Sequence, residues 1–175
     1  MDIREQLLKV HSKANNLIIC DWIGANSQRF SELIDAFLDD EHRVVQRASW
    51  AVSELGIKHP HLLCPYIDKM IAAAENPVHP AVQRNVFKVM AETSLPLSEE
   101  QEGRLLNMGF DLLANPAVAV AIRAHAMQFI ANLCRKYPDL AIELKEIIED
   151  GMEYGSGGFK SRGRNVLKQL DSLSK

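Results

Sequence analysis

One short pattern returns along this chain at intervals near 38 residues. Val45-Gln46-Arg47 recurs as Val82-Gln83-Arg84, and Arg123 and Arg162 continue the series at steps of 37, 39 and 39 residues. A period of that length is the mark of one supersecondary unit repeated in tandem. A single unit of this size cannot bury its own apolar face, so neighbours must stack on one another.

Each repeated arginine lies behind a turn rich in helix-starting residues: Asp39-Asp40, Asn76-Pro77, Asn115-Pro116 and Gly155-Ser156-Gly157-Gly158. Asp and Asn side chains accept hydrogen bonds from the unpaired amides of a helix start, and proline suits the first helical position. An amphipathic stretch follows each turn. Val44, Ala48, Ala51, Val52 and Leu55 fall on one helical face, as do Val82, Val86, Val89 and Met90. Ile122, Ala126, Phe129, Ile130 and Leu133 repeat the pattern, then Phe159, Val166, Leu167 and Leu170. Aligned on these faces the steps are 38, 40 and 37, so the arginine register and the apolar register disagree by a residue or two.

A second set of helices is expected between them. They are built on Phe30, Leu33, Ile34, Phe37 and Leu38; on Leu62, Leu63, Tyr66, Ile67, Met70 and Ile71; on Leu105, Leu106, Met108, Gly109, Leu112 and Leu113; and on Leu140, Ile142, Leu144, Ile147 and Ile148. Ser98 and Gln101 have capping-box spacing before the third. Residues 2–10 and 12–23 read as a degenerate leading pair. Proline forbids continuation at His59-Pro60, Leu95-Pro96 and Tyr137-Pro138. Aromatics are only 6% of the chain, while Ala, Leu, Val and Ile abound, which suits closely packed helices. The expectation is an all-α stack of about five antiparallel pairs forming one domain over residues 1–175.

Asp40, Val44/Val45, Arg47, Ala48, Ala51 and Leu55-Gly56 resemble the HEAT-repeat signature of acidic turn, Val, Arg, small residues and Leu-Gly. The likeness is good over residues 39–60, fair over 76–93 and 115–136, and weak at both ends. It implies an armadillo-like α-α superhelix whose second helices line the concave side. It implies no single activity, because such arrays act mostly as binding scaffolds.

Several classes find no support. The start, Met1-Asp2-Ile3-Arg4-Glu5, is charged and amphipathic, so no signal peptide is expected. No apolar run approaches the roughly 18 to 20 residues that span a bilayer. Cys20, Cys64 and Cys134 are odd in number and widely spaced, which argues against a disulfide framework and fits reduced core residues in a cytoplasmic protein. No His or carboxylate pair has firm metal-ligand spacing on one helix face. Iron-dependent HEAT enzymes resembling deoxyhypusine hydroxylase use His-Glu dipeptides, and this chain has none. No cofactor and no catalytic residue is expected. Asp21-Trp22 is similar to the aspartate and tryptophan used by HEAT-like alkylpurine DNA glycosylases, although Trp22 falls at a position expected in the core.

Charge is distributed unevenly. Residues 12–23, 41–58, 77–93, 116–136 and 156–175 hold 14 Lys/Arg against 5 Asp/Glu; the remainder holds 6 against 18. If the second helices face inward, the concave face is basic. Two explanations stand side by side: arginines that tie each repeat to its neighbour, with cations answering helix dipoles at C-termini, or an anionic partner. Trp50 shares a stripe with Arg43, Gln46, Arg47 and Glu54, away from the Val44/Ala48/Val52 face; in the arginine register Phe87 takes its slot, with Arg84 and Lys88 alongside. An aromatic flanked by arginines suits peptide capture or base stacking, and it equally suits packing against the next helix. Gly157 and Gly158, followed by Lys160, Arg162 and Arg164 at a helix start, offer free amides and positive charge to an anion, but lack the phosphate-loop spacing.

The leading expectation is a non-enzymatic scaffold that binds another protein or peptide of acidic character through Arg43, Arg47, Trp50, Arg84, Phe87 and Lys88. Nucleic-acid binding or repair is the alternative. A third reading is an accessory subunit docking through its ends, where Leu170 and Leu173 close the stack. The oligomeric state is not readable.

Overall fold

The computed structural model describes residues 1–39 and 41–173; Asp40 of the acidic turn, and the last two residues of the 156–175 segment, lie outside them. The described residues form ten α-helices and no strand. They are α1 (Ile3–Lys9), α2 (Lys13–Ile23), α3 (Ser27–Phe37), α4 (His42–Lys58), α5 (Ile67–Glu75), α6 (Ala81–Glu92), α7 (Glu99–Ala114), α8 (Val120–Leu133), α9 (Leu140–Tyr154) and α10 (Gly157–Leu173). Short turns join them in pairs, which makes the partners of each pair antiparallel. The helices gather into two compact units, residues 1–97 and 98–175.

In the first unit α2, α4 and α6 lie side by side, with α3 packed on α4, α5 on α6, and α1 against α2, α3 and α4. The seam between α4 and α6 is built from Val44, Ala48, Ala51 and Val52 on one helix and Val82, Val86 and Val89 on the other, all within 1% of complete burial. Small and β-branched residues let the two axes come close, the geometry that ridge-into-groove packing needs. Gly56 belongs to the same logic. A Cβ there would meet Leu63 Cδ1 at 2.5 Å, so the glycine lets the chain fold back tightly after α4.

In the second unit α8 packs on α7, α9 and α10, and α10 packs on α9. Ile122, Ala126 and Ile130 of α8 and Phe159, Val166 and Leu170 of α10 are buried. Leu170 is therefore core, not an open end; Leu173 is 37% exposed.

Helix starts follow side-chain capping. Asp2, Ser12, Asn26 and Ser98 each accept from a backbone amide three residues on, and Ser98 completes the capping box with Gln101. The turns expected to start α6 and α8 behave differently. Asn115 accepts from Ala117 N, and His79 Nδ1 accepts from Ala81 N, so each side chain caps a turn and the helix begins at Ala81 and Val120 instead of near 77 and 116. The helix expected from Leu62 is also shorter. Pro60 and Pro65 impose two 3-10 turns, Pro60–Leu62 and Cys64–Tyr66, before α5 starts at Ile67. On α9, Leu144 and Ile148 are fully buried while Ile142, two residues off that face, is 65% exposed.

The packing decides between the two registers. Val44, Val82, Ile122 and Phe159 are all buried, each on the apolar face of its own helix, so the repeats align by their apolar faces. In that alignment Arg123 corresponds to Val45 and Gln83, not to Arg47 and Arg84. Hydrogen bonds agree. Gln83 Nε2 donates to Ala74 O at 3.0 Å and Arg123 Nε to Leu113 O at 2.9 Å, each closing the last turn of the preceding helix. Arg47 instead donates through Nη1 to Leu7 O at 2.6 Å, across to α1.

Candidate functional site

The six residues expected to line a binding face all lie in the first unit, on α4 and α6. Those two helices run parallel, since each is the second of an antiparallel pair. Lys88 Nζ meets Glu54 Oε1 at 3.0 Å, which fixes their relative register. One turn back from that ion pair lie Trp50 on α4 and Arg84 on α6. Arg47 lies about one turn, and Arg43 about two turns, further back along α4.

These residues differ in what is left for a partner. Arg43 and Arg84 are exposed and have no ion-pair partner among the described residues. Lys88 is half engaged by Glu54. Trp50 is half-buried, with its ring 5.7 Å from that of His11. Arg47 is mostly consumed: it bonds Leu7 O, and its Nε is buried with no acceptor. It sits beside a gap of only about 10 Å³ walled in part by Leu7, Asn15 and Ile19. It ties α4 to α1 and is better read as a repeat-to-repeat strut.

Phe87 requires a correction. It is 0% exposed and belongs to the core. The arginine register put it in the slot of Trp50, but the apolar register places it one position off that stripe, among Val86, Val89 and Met90. It cannot present a ring to a partner.

The surface around this strip is tied together by polar contacts that the periodicity did not reveal. Asn85, 4% exposed, donates to Ala81 O at 2.8 Å and accepts from Ser53 Oγ at 2.9 Å. That buried bond links α6 to α4 directly beneath the strip. Arg4 pairs with Asp39 and Glu41, joining α1 to the α3–α4 turn.

The glycine-rich start of α10 is a less open site than its residues imply. Gly157 and Gly158 are exposed, and Arg164 is exposed without a partner among the described residues. Ser156 Oγ, however, accepts from Phe159 N, so one of the free amides is already capped. Arg162 donates to Gln128 Oε1 at 3.0 Å and Lys160 to Glu153 O at 3.3 Å. The basic cluster is thus divided between α8, α9 and solvent.

The tryptophan and cysteine expectations also meet the structure here. Trp22 is half-buried, not core, and the Arg29 guanidinium lies 4.6 Å from its ring centre. All three cysteines are free thiols, but Cys64 is exposed, in the second 3-10 turn. Among the described residues no group of three His, Cys, Asp or Glu is arranged to hold a metal ion, and no helix is long and apolar enough to cross a membrane.

In the second unit, Glu102 of α7 is 7% exposed and accepts from Lys136 Nζ and Tyr137 Oη, both at 2.7 Å. Burial pushes its pKa up; the two hydrogen bonds and the Lys136 charge outweigh it and hold the carboxyl below its ordinary range. This pair staples the chain leaving α8 to α7. The union of Glu102 with Lys136, 34 residues apart in the chain, is a tertiary event.

A family model describing the HEAT repeat domain matches residues 3–170. No curated protein and no solved structure matches the chain.

Proposed function

The chain belongs to the HEAT-repeat family across nearly its whole length, and from that premise we propose that it is a non-enzymatic scaffold holding an acidic protein segment along the α4–α6 strip. HEAT repeats serve in general as protein-interaction scaffolds. The observation that carries the finer reading is the pairing of unneutralised Arg43 and Arg84 with the half-exposed ring of Trp50 on one rigid seam. An arginine without a carboxylate nearby keeps its full fork of donors for a Glu or Asp side chain. A partly buried tryptophan offers a firm apolar anchor at low entropic cost. The cytoplasm is the setting we propose, since an exposed free thiol such as Cys64 suits a reducing compartment.

The test is selection of short peptides from a displayed random library against the whole protein, followed by anisotropy titration of the winners. Acidic sequences should be enriched. Arg43→Glu/Arg84→Glu and Trp50→Ala should each weaken binding tenfold or more, with helical circular dichroism unchanged. Arg47 is left intact, because its loss would loosen α1. Winners without acidic residues, or titrations indifferent to these substitutions, would refute the strip. A single-stranded oligonucleotide competing better than the peptides, with steep salt dependence, would transfer the assignment to nucleic acid.

A further inference from the structure

The second unit contains a cavity of about 530 Å³ between the α7–α8 turn and the end of α9. Val118, Val120 and Ile147 give it apolar walls, Tyr154 stands at its rim with 86% exposure, and Arg123 lines it. The first unit has the corresponding cavity, about 330 Å³, between the α3–α4 and α5–α6 turns. There the residue in the place of Arg123 is Val45. Stacking of the repeats therefore does not require a cation in this slot. Nor does the local hydrogen bond, since Gln83 makes it in the intervening repeat with a neutral amide.

Arg123 is only 9% exposed, and burial lowers its pKa. An arginine nevertheless stays protonated in a protein. Its guanidinium lies 4.3 Å from the centre of the Phe159 ring, and Nε is spent on Leu113 O. The two Nη groups have no acceptor and no ion-pair partner among the described residues. Among the described residues only Arg47 Nε is buried without a partner, so the Arg123 Nη groups reach solvent through the cavity and stand as free donors for an incoming anion.

We propose that this cavity binds a monocarboxylate with an apolar body, its carboxylate on the Arg123 Nη groups and its apolar part against Val118, Val120 and Ile147. The planar fork of the guanidinium matches a carboxylate. Asp150, exposed in the cavity wall and unpaired with Arg123, repels an anion in proportion to its charge, so it disfavours phosphates more than a monocarboxylate. The site is built wholly from residues of the second unit and does not depend on the α4–α6 strip.

The experiment is a titration of the whole ¹⁵N-labelled protein with hexanoate and with N-acetyl-leucine, reading the Arg123 Nε–Hε resonance and the Gly151 and Gly155 amides. Saturable shifts at millimolar ligand are expected, and weaker or absent ones with hexanol, hexylamine and N-acetyl-leucinamide. Tighter hexanoate binding would mark a free small carboxylate as the natural ligand; tighter N-acetyl-leucine binding would mark a chain terminus. Arg123→Gln should keep the Leu113 bond, as Gln83 keeps its own, and weaken binding tenfold or more without changing the fold. Val120→Trp fills the cavity from an exposed position and should block binding while leaving Arg123 in place. The assignment is overturned if neither carboxylate shifts these resonances, if the uncharged analogues bind as well, or if folded Arg123→Gln binds like the parent.

Discussion

Ser53→Ala isolates the bond that holds α6 against α4 beneath the proposed strip. Ser53 is fully buried and Asn85 is 4% exposed. The Ser53 hydroxyl lies 2.9 Å from both Trp50 O and Asn85 Oδ1. It has one proton for two acceptors. The Asn85 oxygen has no other donor among the described residues, so removing the hydroxyl leaves a buried acceptor bare. Such a group costs about 1 to 3 kcal/mol. Asn85→Ala also leaves a void and should cost about 2 to 3 kcal/mol. The two losses overlap, because each removes the same bond, so the double variant should fall short of their sum by about 1 kcal/mol. Urea unfolding followed by circular dichroism measures this. With a slope of about 2 kcal/mol per M, Ser53→Ala should lower the midpoint by about 1 M. Ser53→Ala/Asn85→Leu, which removes the polar pair altogether, should recover most of the loss. If Ser53→Ala shifts the midpoint by less than about 0.2 M and the effects add, the bond does not hold the seam.

Phe87→Ala should cost about 3 to 5 kcal/mol as a core deletion, visible as a lowered melting temperature; an unchanged melt would restore Phe87 to the surface. Glu102 has a folded pKa below its unfolded one, so its stabilisation is complete above the ordinary carboxylate range and is lost as pH falls through the folded value. Glu102→Gln should therefore melt earlier than the parent at pH 7, with the gap closing below about pH 4; a gap constant with pH would argue against the charged pair. Cys64 is exposed, while burial pushes the Cys20 thiol to about 11 and the Cys134 thiol upward. Native protein should therefore react with maleimide at Cys64 well before the other two, and denatured protein at all three; comparable native rates would contradict the burial.

Helix pairing was legible because it is written in local terms. The apolar spacing of Val44, Ala48, Ala51, Val52 and Leu55, the capping pair Ser98 and Gln101, and the stop before Pro60 each act within a turn or two of chain. Family membership followed from the same features. The candidate site was only partly legible. Arg43, Trp50 and Arg84 could be picked by type, but spacing alone did not separate Arg84, which is free, from Arg47, which is tied to Leu7, or from Arg123, which closes α7. It set Phe87 beside Trp50 because the arginine series was one residue out of step with the packing.

That helices form, roughly where they stop, and that each must stack on another can be read along the chain, since capping, proline geometry and amphipathic period are properties of neighbouring residues. Packing sets which register the stack adopts, which arginines keep free donors, and that Arg123 stands where an earlier repeat has Val45. Those outcomes depend on which surfaces meet across 30 to 40 residues of chain, as in Arg47 with Leu7, Asn85 with Ser53 and Lys136 with Glu102. Burial and loss of solvent at such meetings, not local propensity, separate a strut from a binding residue.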